Sequence, residues 1–192
     1  MRRIETQKDK DKKKKRNQLI VGLILIFVML GSTVGYAFGS FTKENNSEDS
    51  LKYNGVELNK QNSYWTFTIG DFNFALKYNP KETIETNSEN LSYMNSYNGK
   101  PLYVYSENSE STLEIYQNFQ NVAERMQFAC YEKSKCQEDW PLKDCTNNII
   151  IIQKSNSTKI EQKENCVFIE GKNEDLAKLT DEFLYKILGV KQ

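Results

Sequence analysis

Residues Leu19 to Phe38 run for twenty positions without a charge, and seven lysines and arginines between Lys8 and Arg16 stand just before them. At about 1.5 Å of rise per residue such a stretch covers about 30 Å as a helix, the thickness of the hydrocarbon core of a bilayer. Lipid offers no partner to backbone N–H and C=O groups, so a single segment that crosses it must be helical. Short basic flanks stay on the cytoplasmic side. The expected layout is a basic cytoplasmic tail (1–17), a transmembrane signal-anchor helix (18–39), a polar linker (40–50) and one extracytoplasmic domain (51–192). That places a single-pass protein in the cell membrane, N-terminus inside and C-terminal domain outside.

The apolar run changes character along its length: LIVGLILIFVML (19–30) is densely apolar, whereas GSTVGYAFGS (31–40) is small and mildly polar. Gly31, Gly35 and Gly39 recur every four residues, a spacing that lets two membrane helices approach closely and pair as a homodimer. The competing reading makes 19–30 the core of a secretory signal, with small residues near Gly35–Gly39 marking a cleavage site. The full uncharged length exceeds what a signal core needs and favours the retained anchor. Tyr36 and Phe38 at the outer boundary suit an interfacial aromatic belt.

Charge divides in the same place. Residues 1–17 hold nine Lys/Arg against three Asp/Glu, a net +6, while residues 40–192 hold seventeen against twenty-three, a net −6. The cations are therefore on the bilayer side, where anionic head groups attract them. The acidic outer part is the wrong partner for nucleic acid, whose phosphates demand clustered cations.

Beyond the linker, Trp65–Ile69 and Phe72–Tyr78 alternate apolar with polar or small residues around Gly70-Asp71, the pattern of an antiparallel hairpin. Residues 79–99 are mostly loop, with a turn at Asn98-Gly99. Leu102–Tyr105 reads as a short strand. Ser111 and Glu114 spell a capping box, and Ile115, Phe119, Val122, Met126 and Ala129 form one stripe on a helix of about nineteen residues. Four isoleucines, Ile149–Ile152, read as a strand covered on both faces and joined to the first by a right-handed parallel crossover. Val167–Ile169 is a further buried strand, reached through the polar stretch 154–165. Asn173 is the expected cap of a last helix carrying Leu176, Leu179, Phe183 and Ile187, closed at Gly189. The fold class is α+β: an antiparallel hairpin and a mixed sheet covered by two helices.

All four cysteines, Cys130, Cys136, Cys145 and Cys166, lie beyond the apolar segment. Four can pair in three ways. The favoured pairing is Cys130 with Cys136 at the end of the helix and Cys145 with Cys166, which precede the two buried strands. Their gaps exclude a CxxC redox centre, and a Cys₄ zinc site normally shows close pairs.

The chain has no histidine, which removes Ser/His and Cys/His nucleophilic machinery and histidine bases. Ser40-Phe-Thr-Lys43 spells SxxK, but in a tether rather than a rigid dry pocket. Glu138/Asp139 with Asp144, or Glu174/Asp175, are candidate carboxylate pairs for acid–base work or calcium; a solvated face accounts for them more simply. No glycine-rich phosphate loop is present. Asn45, Asn90 and Asn156 begin N-x-S/T sequons, as many as composition alone would produce.

The basic tail, the single apolar segment, the series Cys130-x₅-Cys136-x₈-Cys145, and Asn165-Cys-Val-Phe-Ile-Glu-Gly171 before a last helix resemble uncharacterised single-pass membrane-anchored proteins of small-genome archaea. The resemblance covers about the last ninety residues and implies an anchored outer domain with no assigned activity. These features lead us to expect a non-enzymatic anchored domain that binds a protein or envelope component and uses no cofactor, metal or catalytic residue. The alternatives are an accessory subunit of a larger membrane complex, or a carboxylate-dependent envelope hydrolase or transferase.

Overall fold

The computed structural model describes residues 18–22, 25, 49–88, 90–132, 136 and 139–191. They fall into two units that divide between Asn45 and Asn46. In the first, residues 18–22 and 25 are helical, and Leu19, Ile20, Val21 and Leu25 are each at least half exposed. The rest of the expected 18–39 span, with Gly31, Gly35 and Gly39, lies outside the described residues, as do the SxxK stretch and Asn45. Among the described residues no helix is long and apolar enough to cross a membrane.

The second unit is α+β. Its N-terminal sheet is a four-stranded antiparallel meander, β1 (Ser50–Tyr53), β2 (Val56–Gln61), β3 (Tyr64–Ile69) and β4 (Phe72–Leu76), in that spatial order. The expected hairpin is its second half: Trp65 lies opposite Leu76, Phe67 opposite Phe74 and Ile69 opposite Phe72. Gly70, at φ 57°, makes the turn, a left-handed conformation that costs glycine nothing. The alternation puts Leu58, Trp65, Phe67, Phe74 and Leu76 on the inner face, where all are buried.

The other sheet is five-stranded and mixed, in the order β6-β5-β7-β9-β8. Its strands are β5 (Pro101–Ser106), β6 (Arg125–Phe128), β7 (Ile149–Lys154), β8 (Lys159–Lys163) and β9 (Cys166–Gly171). Strands β5, β6, β7 and β9 run parallel, and β8 is an antiparallel edge. Ile149–Ile152 are wholly buried. Ile150 and Ile152 join Leu102, Val104, Val167 and Ile169 in the main core, while Ile149 and Ile151 join Tyr103, Tyr105 and Phe168 on the other face. A strand with both faces covered needs this unbroken apolar run.

Helices α1 (Ser109–Phe119) and α2 (Leu176–Ile187) lie side by side between the two sheets, α1 against β4 and β5, α2 against β9 and β7. Phe67 of β3 stacks on Tyr185 of α2 at 5.7 Å, so one core spans both sheets. Helix α2 closes as expected at Gly189, where the Val190 N–H reaches the Tyr185 carbonyl at 2.9 Å and glycine takes φ 72°. Gly171 permits a close approach. A Cβ there would fall 2.5 Å from Cδ1 of Leu179, which is fully buried and has no room to move. Gly171→Ala is expected to cost about 1–3 kcal/mol in urea unfolding, as overpacking does.

The structure corrects three expectations. Helix α1 stops at Phe119, and Arg125–Phe128 is an edge strand. The 119, 122, 126 spacing serves a helix or a turn and then a strand equally, and pairing with β5 decides it: the Glu124 N–H already bonds the Lys100 carbonyl at 3.0 Å. The cap of α1 is Asn108, whose Oδ1 accepts the Ser111 N–H at 2.9 Å; Glu114 turns inward instead of closing a box. Asn173 does not cap α2. Its carbonyl accepts from Nδ2 of Asn108, which ties the two helix starts together.

Candidate functional site

The outer face of the N-terminal sheet is an open trough of about 810 Å³, lined by residues that include Glu57, Asn59, Gln61, Thr66, Thr68 and Asn73. These are the polar halves of the alternating strands whose apolar halves build the core. The Thr66 hydroxyl donates to the Asn59 carbonyl at 2.9 Å, and the Thr68 hydroxyl to Asn73 Oδ1 at 2.7 Å. The side-chain amides of Asn59 and Gln61 have no hydrogen-bond partner among the described residues and point donors and acceptors at solvent. Glu57 is the one charged side chain among these six. Such a surface suits a ligand recognised by many neutral hydrogen bonds.

A second concavity, of about 430 Å³, lies at the end of the same sheet and is lined by Ser63, Tyr64, Lys77, Ser109, Glu110, Leu113 and Glu114. Lys77 forms an ion pair with Glu110 there. Glu114 is 2% exposed, and its Oε2, like Oδ1 of Asp181 on α2, is buried without a hydrogen-bond partner among the described residues. Burial first, and the neighbouring Glu110 second, push the Glu114 carboxyl up to about 7. Asp181 is raised well above the usual carboxylate range by burial and then by Glu114. Two buried carboxyl groups of which one raises the other do not both ionise near neutrality.

Opposite the helices, the far face of the five-stranded sheet is covered by described residues of the stretch between β6 and β7, among them Ala129, Tyr131 and Cys145. Disulfides Cys130–Cys136 and Cys145–Cys166 hold it, the favoured pairing, and no cysteine is free. Tyr131 meets Phe168 edge to face at 5.3 Å, and Lys143 lies over the Tyr103 ring at 4.3 Å. All four sulfurs are spent on bridges, which leaves no thiolate for a zinc site and marks an oxidised domain of the extracellular type.

The carboxylates singled out from sequence do not converge. Asp144 Oδ1 accepts from the Thr146 hydroxyl at 2.6 Å and from Asn147 in a local turn, and the Thr146 hydroxyl holds its carboxyl below the ordinary range. Asp139 is exposed, Glu138 is outside the described residues, and Glu174 and Asp175 occupy the turn before α2. Glu114 and Asp181, missed as a pair, are 67 positions apart in sequence. The available signal was Glu114 and Asn118, polar residues one turn apart on the side of α1 that carries Ile115 and Phe119. Comparisons with protein-family models, with curated proteins and with solved structures find no match.

Proposed function

We propose that the protein is a membrane-anchored, non-enzymatic binding module whose domain stands outside the cell and takes a protein or envelope component on the outer face of the N-terminal sheet. The trough carries this reading: it is broad, almost uncharged, and presents unpaired amides. The other sheet offers no equivalent surface among the described residues, because helices cover one of its faces and the disulfide-held segment the other. Two further observations support the anchored, exported layout. The consecutive bare side chains Leu19, Ile20 and Val21 need an apolar surrounding, and the two disulfides need an oxidising one. The membrane helix serves as the anchor, with homodimerisation through Gly31, Gly35 and Gly39 a separate property of that segment.

The test is binding of the purified full chain, in detergent, to envelope fractions resolved into protein and polysaccharide. Thr66→Trp and Thr68→Trp fill the trough from the solvent side without touching the core, and each should weaken binding at least tenfold. Binding unchanged by both variants would remove the trough from the account.

A carboxylate-dependent envelope hydrolase or transferase is the second reading, favoured by one observation: Glu110 and Glu114 line the same cleft, and Glu114 is poised near neutrality as a general acid. It requires turnover of envelope polysaccharide that Glu114→Gln abolishes. Absence of turnover by the wild-type protein rejects it.

A further inference from the structure

Strand β7 returns into β8 through residues 155–158, Ser-Asn-Ser-Thr, and Asn156-Ser157-Thr158 is one of the three N-x-S/T sequons. Their number follows from composition, so only placement can single one out. The Ser155 N–H donates to the Gly171 carbonyl at 2.8 Å, which pins the start of the turn to the end of β9. The Ser155 hydroxyl oxygen accepts the Ser157 N–H at 3.1 Å and lies 2.9 Å from the Ser157 hydroxyl. The two serines close the turn on each other and leave Asn156 between them. Asn156, Ser157 and Thr158 are all exposed, and the side chains of Asn156 and Thr158 have no hydrogen-bond partner among the described residues. The amide and the hydroxyl two places on, the two groups that define an N-glycosylation acceptor, are both free.

The other sequons differ. Asn90 is exposed, with φ 62°, but the hydroxyl of Ser92 accepts from Nε2 of Gln162 at 2.9 Å and the Ser92 N–H donates to Oε1 of Gln162 at 2.8 Å. The hydroxyl of that sequon is therefore held to β8. Asn45 lies outside the described residues.

We propose that Asn156 is a modification site that carries an N-linked glycan. This rests on the exported layout given above, because the donor, an oligosaccharide joined through a diphosphate to a membrane lipid, is used on the outer side of the bilayer. In the transfer, Nδ2 of Asn156 displaces the lipid diphosphate from the anomeric carbon. The new C–N bond forms, the C–O bond to the diphosphate breaks, and the amide gives up one proton. A glycan at this turn extends into solvent and displaces no packed side chain. It also stands at the start of β8, an edge of its sheet, and an edge must be kept from pairing with other chains. Lys159, Glu161 and Lys163 already place charge along that edge, with both lysines 3.2 Å from Glu161. A bulky hydrated chain beside them adds a steric shield.

The test is the intact mass of the full chain, purified in detergent from the cells that naturally make it, followed by fragmentation of the peptide that contains Asn156. A mass surplus in steps of sugar residues should sit on Asn156. Asn156→Gln and Thr158→Val should each remove it, and Thr158→Ser, which keeps the hydroxyl, should retain it. Both unmodified variants should keep the circular dichroism of the wild type, so that loss of the glycan is not loss of fold. An unmodified Asn156 overturns the site, as does a surplus found only on Asn45 or Asn90, or one that survives Thr158→Val. Thiol labelling of the same sample separates this failure from failure of the layout. With all four cysteines blocked in disulfides only the glycan is refuted, whereas free thiols refute the exported layout with it.

Discussion

Asn118→Ala should lower the unfolding free energy of the domain by about 1–3 kcal/mol, the cost of leaving the Ala75 N–H without its partner. The side chain is 3% exposed. It satisfies both the N–H and the C=O of Ala75 and donates to the Glu114 carbonyl at 2.9 Å. Alanine removes all three bonds; the Ala75 carbonyl keeps Gln117 Nε2 at 3.4 Å, and the Ala75 N–H loses its partner. Denaturant unfolding at pH 5.5, where the carboxyl pair is protonated, isolates this effect from titration. A loss below about 1 kcal/mol, the low end of that cost, would show that the edge of β4 does not depend on the helices. The same substitution should raise exchange at Ala75 more than at any amide of β9.

Replacing Cys145 and Cys166 together by alanine is expected to cost about 3 kcal/mol, and replacing Cys130 and Cys136 about 2. The difference comes from the loops they close, with separations of 21 and 6 residues, because a longer loop takes more entropy from the unfolded chain. The first bridge also ties the covering segment to β9 at Cys166, which is wholly buried. Its loss should expose the Tyr103, Ile151 and Phe168 face as well, which binding of a hydrophobic dye would report. Equal melting temperatures for the two double variants would argue against loop closure as the main source of the stabilisation.

Much of the domain was legible because its signals are local. Gly70-Asp71 between alternating apolar residues gives one hairpin and its register. Four consecutive isoleucines admit only a strand covered on both sides, and its parallel pairing with β5 comes from the helix between them. Strands β1 and β2 go unanticipated although Asn54-Gly55 marks their turn, with φ 45° and 84°. Of their apolar residues, Leu51, Tyr53 and Val56 are only partly buried, so the alternation is faint. Strand β8 is fainter still, an edge whose one buried apolar residue is Ile160. The end of α1 is illegible for a different reason: Val122 and Met126 pack toward the same core whether the chain continues as helix or turns into a strand. The candidate site was the least legible part. Its trough is built from ordinary solvent-facing threonines and amides, and its carboxyl pair comes from helices far apart in the chain.

The amino acids alone decide the inventory and set the expectation of compartment: an uncharged stretch preceded by cations, cysteines confined to the chain beyond it, and no histidine. Those are properties of residue type and order, and partition and redox chemistry act on them without reference to a fold. Only the folded chain decides why α2 buries Thr180, Asp181 and Glu182 beside its apolar stripe. A helix pressed between two sheets has no solvent face, and its polar groups must find partners in another element. Asp181 finds them at the edge of β4, where its Oδ2 accepts the Tyr78 N–H at 2.8 Å, and a carboxyl that would be an ordinary surface charge becomes a buried, proton-holding one.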